Sequence, residues 1–313
     1  MSANIPELRA FLAVANVGSF TKAANELHIS QPALSRRVSL LENSLGTPLF
    51  SRFMDRVQLT EAGSALVPYA NAVVTALRDG IEAVRSTNQG ERGQISLAIA
   101  SPLLNSRVIS VFQDFQRSSP NIELSLHSGT SAEVSVLVLR GDASLGLRYR
   151  MDPNPRMHSE MIGSEEMIIV CAPTHPLAGR KSVSPARLAA ETWIAVPVRS
   201  DDPDGGFVNV LKQYGLKSGR TMVIDSTMAQ KRLIEAGFGI GILAYGSVQE
   251  ELASGRLVAL SSPKIRTNVP VMLVHRKSMH VGPVARRIWE ALLRAFPDPV
   301  YPPRKSIARR SRK

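Results

Sequence analysis

The sequence predicts a chain in three parts: an all-helical head, one long helix, and an α/β region large enough for two subdomains. Three observations predict it. Residues 19–38 read as two short helices, each with a capping residue, joined by a tight turn. Apolar residues then recur every three or four positions from Leu66 to Val84. Beyond Gly93, segments of strand and helix character alternate, which is a βαβ pattern.

The head opens with a helix. Asn4 and Glu7 have capping-box spacing, and Leu8, Phe11, Leu12 and Ala15 fall on one side at the helical period. Ser19 caps the second helix, whose apolar side carries Ala23, Ala24 and Leu27, and the turn falls at His28 and Ile29. Ser30 caps the third, with Pro32 in its first turn, where a missing N–H costs nothing. Leu34, Val38, Leu41 and Leu45 share one side of that helix, leaving Pro32, Ser35, Arg36 and Ser39 opposite. The exposed side is small, polar and basic. In a helix-turn-helix the second helix of the pair enters the major groove with its N-terminal residues toward the base edges, and small residues allow close approach. Arg36 can read guanine or grip phosphate. An ordinary pair of packed helices would not require such a face.

The head resembles the winged helix-turn-helix of LysR-type transcriptional regulators over residues 4–63. The resemblance is carried, in order, by Ser19-Phe-Thr-Lys-Ala-Ala, by Ser30-Gln-Pro-Ala-Leu-Ser-Arg-Arg-Val with Leu41-Glu, by Leu45-Gly46-Thr-Pro-Leu49-Phe50-Ser-Arg52, and by Leu59-Thr60-Glu61-Ala62-Gly63. It implies that Gln31, Pro32, Ser35 and Arg36 lie in the major groove, with Ser19, Thr21, Ser30, Ala33 and Arg37 completing the DNA-facing set. Arg52 and Arg56 would belong to a wing against the backbone or minor groove. The wing tip departs from the usual pattern: Phe53-Met54-Asp55 stands in place of a more polar, basic tip, and Asp55 would be repelled by phosphate.

Charge does not carry this reading. The chain has a net charge of +12, yet residues 1–90 hold eight Lys/Arg against seven acids. The segment 299–313 adds Arg304, Lys305, Arg309, Arg310, Arg312 and Lys313 with no acid, and reads as a disordered, solvated tail. DNA binding is therefore indicated by motif geometry rather than by net charge.

After Thr60, a candidate N-cap, the pattern is one helix to about residue 87, roughly 27 residues and about 40 Å long. Leu66, Ala70, Val73, Leu77, Ile81 and Val84 make a seam for another helix, and Pro68 should kink its start. No short loop and partner helix follow, so the expected partner is a second copy, against the alternative of packing on its own chain. The resemblance implies the same: a linker helix that dimerises, over residues 64–90, with a hinge at 89–93. It further implies a tetramer.

Strands are expected at 94–100, 122–127, 144–149, 167–172, 193–196, 222–224, 239–243 and 271–275, with helices at 105–116 and 132–140. This resembles the family's effector domain, two-lobed like periplasmic binding proteins, here over residues 91–298. Lobe I would take 91–165 and 276–298, and lobe II 166–275. One departure is Ser144, where the family usually has an acid.

The alternatives are an exported solute binder and a small-molecule enzyme. No basic-then-apolar leader opens the sequence, and apolar runs such as 167–172 fall well short of the roughly 18 residues a membrane helix needs, so the expected location is the cytoplasm. The six histidines form no zinc-like pattern with cysteine or carboxylate partners, no nucleophile elbow or phosphate loop is present, and no catalytic residue, metal or cofactor is assigned. Gly237, Gly239 and Gly241 suit a helix-to-strand turn better than a dinucleotide loop. The lone Cys171 lies in a strand-like run and reads as core.

What remains is a ligand-responsive regulator. Its partners would be a pseudo-palindromic duplex, itself, and RNA polymerase. A small-molecule effector would settle beyond the C-terminal ends of strands, where helix N-termini offer free N–H groups. That places Ser101 and Pro102, Thr130 and Ser131, Val198, Arg199 and Ser200, and Ser226 and Thr227 at the site, with Arg199 a partner for a carboxylate. Each hydroxyl has a simpler explanation as a helix cap.

Overall fold

The computed structural model describes residues 3–53, 56–88, 93–196, 220–262, 267–278 and 281–296. The chain divides into two compact units, one of residues 1–89 with 278–282, the other of the remainder.

The first unit is built on α1 (Ile5–Val17), α2 (Phe20–Glu26) and α3 (Gln31–Leu45). The capping box is present: Asn4 Oδ1 accepts from the Glu7 N–H at 3.1 Å, and Glu7 Oε2 accepts from the Asn4 N–H at 3.2 Å. Both α1 and α3 end on a left-handed glycine, Gly18 at φ 67 and Gly46 at φ 70. Ala10, Phe11, Val14, Ala23, Ala24, Leu34, Val38 and Leu41 close the core. Two residues of the expected stripes lie outside it. Ala15 is half-buried, and Leu45 is exposed because α3 stops at Gly46, one turn beyond the packed segment.

Strands β1 (Phe50–Phe53) and β2 (Arg56–Leu59) pair antiparallel and form the wing. Glu42 ties it to α3, its Oε1 accepting from the N–H of Leu49 at 2.8 Å and of Phe50 at 3.2 Å. Phe50 packs against Phe11 and Phe20, with ring centroids 5.4 and 5.8 Å away. Helix α4 (Glu61–Asn88) begins where Thr60 Oγ1 accepts from the Gly63 N–H at 3.0 Å. A Cβ on Gly63 would lie 2.2 Å from the Leu49 carbonyl oxygen, so only glycine lets α4 start this close to the wing.

The predicted seam of α4 is divided. Leu66 and Ala70, joined by Val74, pack into the head's own core, whereas Tyr69, Val73, Leu77, Ile81 and Val84 are exposed. Helix α4 thus spends its first turns on α1 and offers its later apolar stripe outward.

In the second unit, β3 (Gly93–Ala100), α5 (Ser106–Ser118), β4 (Ile122–Gly129), α6 (Ser131–Arg140) and β5 (Leu145–Tyr149) form the expected βαβαβ run. Strands β4, β3 and β5 lie side by side and parallel. Strand β6 (Met157–Cys171) corrects the sequence reading, since it starts ten residues before the expected 167–172. Beyond it come α7 (Pro185–Ala190), β7 (Thr192–Ala195), β8 (Arg220–Val223), α8 (Thr227–Glu235), β9 (Gly241–Ala244), α9 (Gln249–Ala253), β10 (Val258–Leu260), β11 (Thr267–Arg276) and α10 (Pro283–Ala295). The main sheet runs β10-β6-β11-β5-β3-β4, with β9 also on β6. Strands β7 and β8 form a separate parallel pair, and the β7 residue Trp193 is fully buried, its indole N–H donating to the Leu188 carbonyl at 2.8 Å.

The glycines before β9 are steric, as the sequence suggests. Gly237 is left-handed, and a Cβ on Gly239 would meet the Thr192 carbonyl oxygen at 2.2 Å. The strand starts at Gly241, two residues later than expected.

If the outward stripe of α4 mediates self-association, Val73→Glu and Leu77→Glu should lower the sedimentation coefficient of the full-length protein. The folding stability of the head should be nearly unchanged, because both residues are exposed and neither belongs to the head's buried core. Unchanged assembly in both variants would remove the stripe from the interface.

Candidate DNA interface and ligand cleft

At the start of α3, Ser30 Oγ accepts from the Ala33 N–H at 3.4 Å, and the helix presents Gln31, Pro32, Arg36 and Ser39 to solvent. Ala33, Ser35 and Arg37 flank them half-buried, while Leu34 and Val38 anchor the opposite side. The tight turn before it places His28 at φ 52, with the Ile29 N–H donating to the Ala24 carbonyl at 3.0 Å. Ser19 caps α2 through the Lys22 N–H at 3.4 Å, next to exposed Thr21. The backbones of Arg52 and Arg56 lie on β1 and β2, pairing with Val57 and Phe53; their side chains fall outside the described ones.

In the second unit a cleft of about 1180 Å³ opens between the lobes. Ser101, Pro102, Thr130, Ser131, Ser226 and Thr227 all line it, so the structure brings together six of the residues the sequence singles out. Val198, Arg199 and Ser200 lie outside the described residues. The topology explains the convergence. Strands β3 and β4 end level, with Ala100 opposite Gly129, and the chain turns at Ser101 on one strand and Thr130 on the other. Ser101 Oγ donates to the Gly129 carbonyl at 3.2 Å, binding the two turns together. Thr130 caps α6 in a full capping box with Glu133, and Ser131 Oγ accepts from the Tyr149 N–H at 3.2 Å. From the second lobe, Ser226 caps α8 through the Ala229 N–H at 3.4 Å, and Gln230 donates to the Ile194 carbonyl at 2.8 Å.

The cleft also has features that the sequence reading missed. Asn105, Tyr149, Arg150, Gln249 and Gly246 line it, and only Asn105 carried a sequence signal, as the residue that caps α5. Behind them sits Glu165, 1% exposed, on the stretch of β6 that passes from one lobe to the other. Its Oε1 accepts from the Gly246 N–H at 2.7 Å. Burial raises its pKa above the ordinary carboxylate range, against the lowering effect of that hydrogen bond and of Arg107. The neighbouring Tyr149 hydroxyl is buried without a hydrogen-bond partner among the described residues, and burial and then the Glu165 charge hold its pKa well above the usual phenol value. On the second lobe, burial works against ionising Glu251, yet the Lys231 ammonium, 2.6 Å away, keeps its pKa below the usual range.

Cys171 is fully buried, and burial pushes its thiol up to about 11, which leaves it inert as a nucleophile. Among the described residues no three of His, Cys, Asp and Glu could hold a metal ion, and no helix is long and apolar enough to cross a membrane.

Two family models match the chain. The bacterial regulatory helix-turn-helix of the lysR family covers residues 5–64, and the LysR substrate binding domain covers 88–297. The chain belongs to the LysR family. A RuBisCO operon transcriptional regulator of Allochromatium vinosum is 30% identical over 94% of this chain and 96% of its own length. MetR of Haemophilus influenzae is 27% identical over 80% of this chain and 81% of that protein. The crystal structure of CbnR, a LysR family transcriptional regulator, shares the fold with a TM-score of 0.64 at 23% identity, covering 94% of this chain and all of that one. Full-length CbnR has also been solved with its target DNA, and that structure matches with a TM-score of 0.62. The chain is thus a DNA-binding transcriptional regulator with an effector-binding domain, and its family consists of regulators rather than enzymes.

Glu165 gives this LysR-type regulator a defined pH dependence. A carboxyl whose pKa is raised on folding retains its proton to higher pH in the folded state than in the unfolded chain. Its contribution to stability is therefore present below the ordinary value of 4.5 and is lost as pH rises through the raised folded value. Glu165→Gln keeps an oxygen acceptor for the Gly246 N–H and removes the charge. In urea titrations it should equal or exceed wild type at about pH 8 and flatten the decline between about pH 5 and that value. A wild-type slope in the variant would place the titrating group elsewhere.

Proposed function

We propose that this regulator reads a pseudo-palindromic operator as a dimer or tetramer through α3, and that a small polar metabolite held between the lobes sets its DNA binding or promoter output. Paired heads call for symmetric half-sites, and the exposed start of α3, with Gln31, Pro32, Ser35 and Arg36 on one face, supports the reading. Arg52 and Arg56 on the wing would add contacts to the backbone or minor groove. The effector is the small molecule this reading requires, with no resident cofactor. The protein would act in the cytoplasm, where its operator is, and contact RNA polymerase at the promoter.

The observation that carries the reading of the second unit is the convergence of Ser101, Thr130 and Ser226 from three separate turns on one cleft. The Ser226 hydroxyl accepts from the Ala229 N–H and keeps its O–H for a ligand, while the Ser101 and Thr130 hydroxyls donate to the Gly129 carbonyl and the Glu133 carboxylate and keep a lone pair to accept a ligand hydrogen bond.

Two experiments test the halves separately. Affinity for the operator should fall with salt, and Arg36→Ala should cost about 1 to 3 kcal/mol at the specific site while relaxing preference at one base pair. Equal losses on specific and random DNA would reduce Arg36 to a phosphate contact. Footprinting the protein on its own upstream region with a metabolite panel identifies the effector. Ser101→Ala and Thr130→Ala should then move its dose dependence to higher concentration, whereas an unaltered dose response in both would put the effector outside this cleft.

A further inference from the structure

The basic side chains on the described wall of the cleft are Arg150, Lys231 and Arg232. Two are occupied. Lys231 bonds Glu251 at 2.6 Å and the Ser247 carbonyl at 3.1 Å, and Arg232 pairs with Glu235 at 2.9 Å. Arg150 is half-buried and its guanidinium has no hydrogen bond or ion pair among the described residues. A half-buried cation left unpaired is a cost that a ligand anion would remove.

The backbone at Arg150 is unusual too. It sits at φ 60, in the left-handed region that side chains other than Gly, Asn and Asp seldom enter, and its N–H donates to the Pro270 carbonyl at 2.8 Å, which fixes it against β11. The position matters as much as the strain. Ile99 is level with Leu147 and Ala100 with Gly129, so Ser101, Thr130 and Arg150 leave the same edge of three adjacent parallel strands, one to three residues past paired positions. Of the acids around it, Asp152 pairs with Arg148, Glu251 with Lys231 and Glu235 with Arg232. Glu133 closes the capping box of α6 by accepting from the Thr130 N–H at 2.7 Å, and Asp225 and Glu250 are exposed on the second lobe.

We infer that Arg150 is the anion anchor of the cleft, and that the effector of this chain carries an oxyanion, a carboxylate or a phosphate, seated on the Arg150 guanidinium beside Ser101. The inference rests on the reading of the cleft as the effector site and names the ligand class that site takes. The planar guanidinium fork matches either oxyanion bidentately, which a lysine at the same place would not. Arg199, the residue that the sequence offers for this role, lies outside the described residues.

The test uses the full-length protein and thermal melting with sodium phosphate, sodium succinate or glucose, each up to about 50 mM at an ionic strength matched with sodium chloride. Wild type should be stabilised by one or both anions and not by glucose; phosphate alone assigns a phosphoryl group, succinate alone a carboxylate. Arg150→Gln should raise the half-saturating anion concentration about ten-fold or more, and Arg150→Lys should fall between. Arg150→Gly separates binding from folding, because glycine adopts the left-handed backbone without strain: it should melt no lower than wild type and show no anion-dependent rise. A wild type indifferent to both anions overturns the inference. So does a rise that survives in the Gln and Gly variants, since the ion would then sit elsewhere, for instance on the DNA-binding head. If neither anion acts while a neutral metabolite shifts promoter output in a Ser101-dependent manner, the cleft remains the effector site and only the anion anchor falls.

Discussion

The β6–β11 ladder runs from Met157 opposite Arg276 to Met167 opposite Thr267, and past its end β6 continues alone into pairing with β9 and β10. These two antiparallel strands are the backbone shared by both lobes, and much of the ligand domain is arranged to keep them close to their neighbours. Gly163, on β6, lies under the ring of Phe296, where a Cβ would approach to 3.1 Å. Gly246 comes so near the same strand that a Cβ there would meet Glu165 and Asn105, both at 2.7 Å. A side chain at Gly163 would press on the Phe296 ring, and one at Gly246 would displace the ends of the Glu165 and Asn105 side chains. The buried Glu165 is part of the same arrangement: it satisfies the Gly246 N–H, which would otherwise be an orphan donor in the interior, and it carries a desolvation cost in return. Arginine pairs are used likewise within the first lobe, where Arg148 meets Asp152 at 2.5 Å and Asp152 also takes the Ser135 hydroxyl.

The head was legible in the sequence because its determinants are local. Caps, left-handed glycines and three-four spacings each act over a few residues, and Asn4, Ser19, Ser30, Gly18 and Gly46 all do in the structure what their residue types favour. Glu42 was legible only as part of a resemblance; that its carboxylate binds the first two amides of the wing segment depends on a contact between two elements. The first ten residues of β6 were illegible for a related reason. Met157 to Glu166 includes His158, Glu160, Glu165 and Glu166 and shows no clean alternation, and this half of the strand takes its conformation from pairing with β11, which lies more than a hundred residues on in the sequence. The α4 seam failed in part for the opposite reason. The period was correct, but periodicity does not say which neighbour an apolar stripe meets, and the head claims its first turns.

At the cleft, sequence reasoning found hydroxyls and missed charge. Ser101, Thr130 and Ser226 could be placed because they stand where a strand gives way to a helix. Arg150 has no such marker, since it caps nothing and follows a strand into irregular chain. Only the structure shows that its backbone is left-handed and that the other cations on the wall are paired. The capping explanation of the hydroxyls and the binding explanation are compatible, because rigid caps are also well-positioned hydrogen-bonding groups. Ordering cost is already met by the fold, and a ligand need not immobilise them again.

A ligand that touched only Ser101 and Thr130 would bind the first lobe equally well in any arrangement of the domain, and it would shift nothing however tightly it bound. Regulation therefore needs contacts on both walls. The residues to supply them are present on the far side at Ser226, Thr227 and Gln230. Driving a two-state population from 1:99 to 99:1 takes about 5.5 kcal/mol of differential affinity, which two sites in a dimer would divide to roughly 2.8 kcal/mol each. A hydrogen bond to a charged group contributes on the order of 1.5 to 3 kcal/mol. One charge-assisted contact per site, made in one arrangement and lost in the other, is thus of the size required. A deeper or more apolar pocket would add affinity common to both arrangements without adding control.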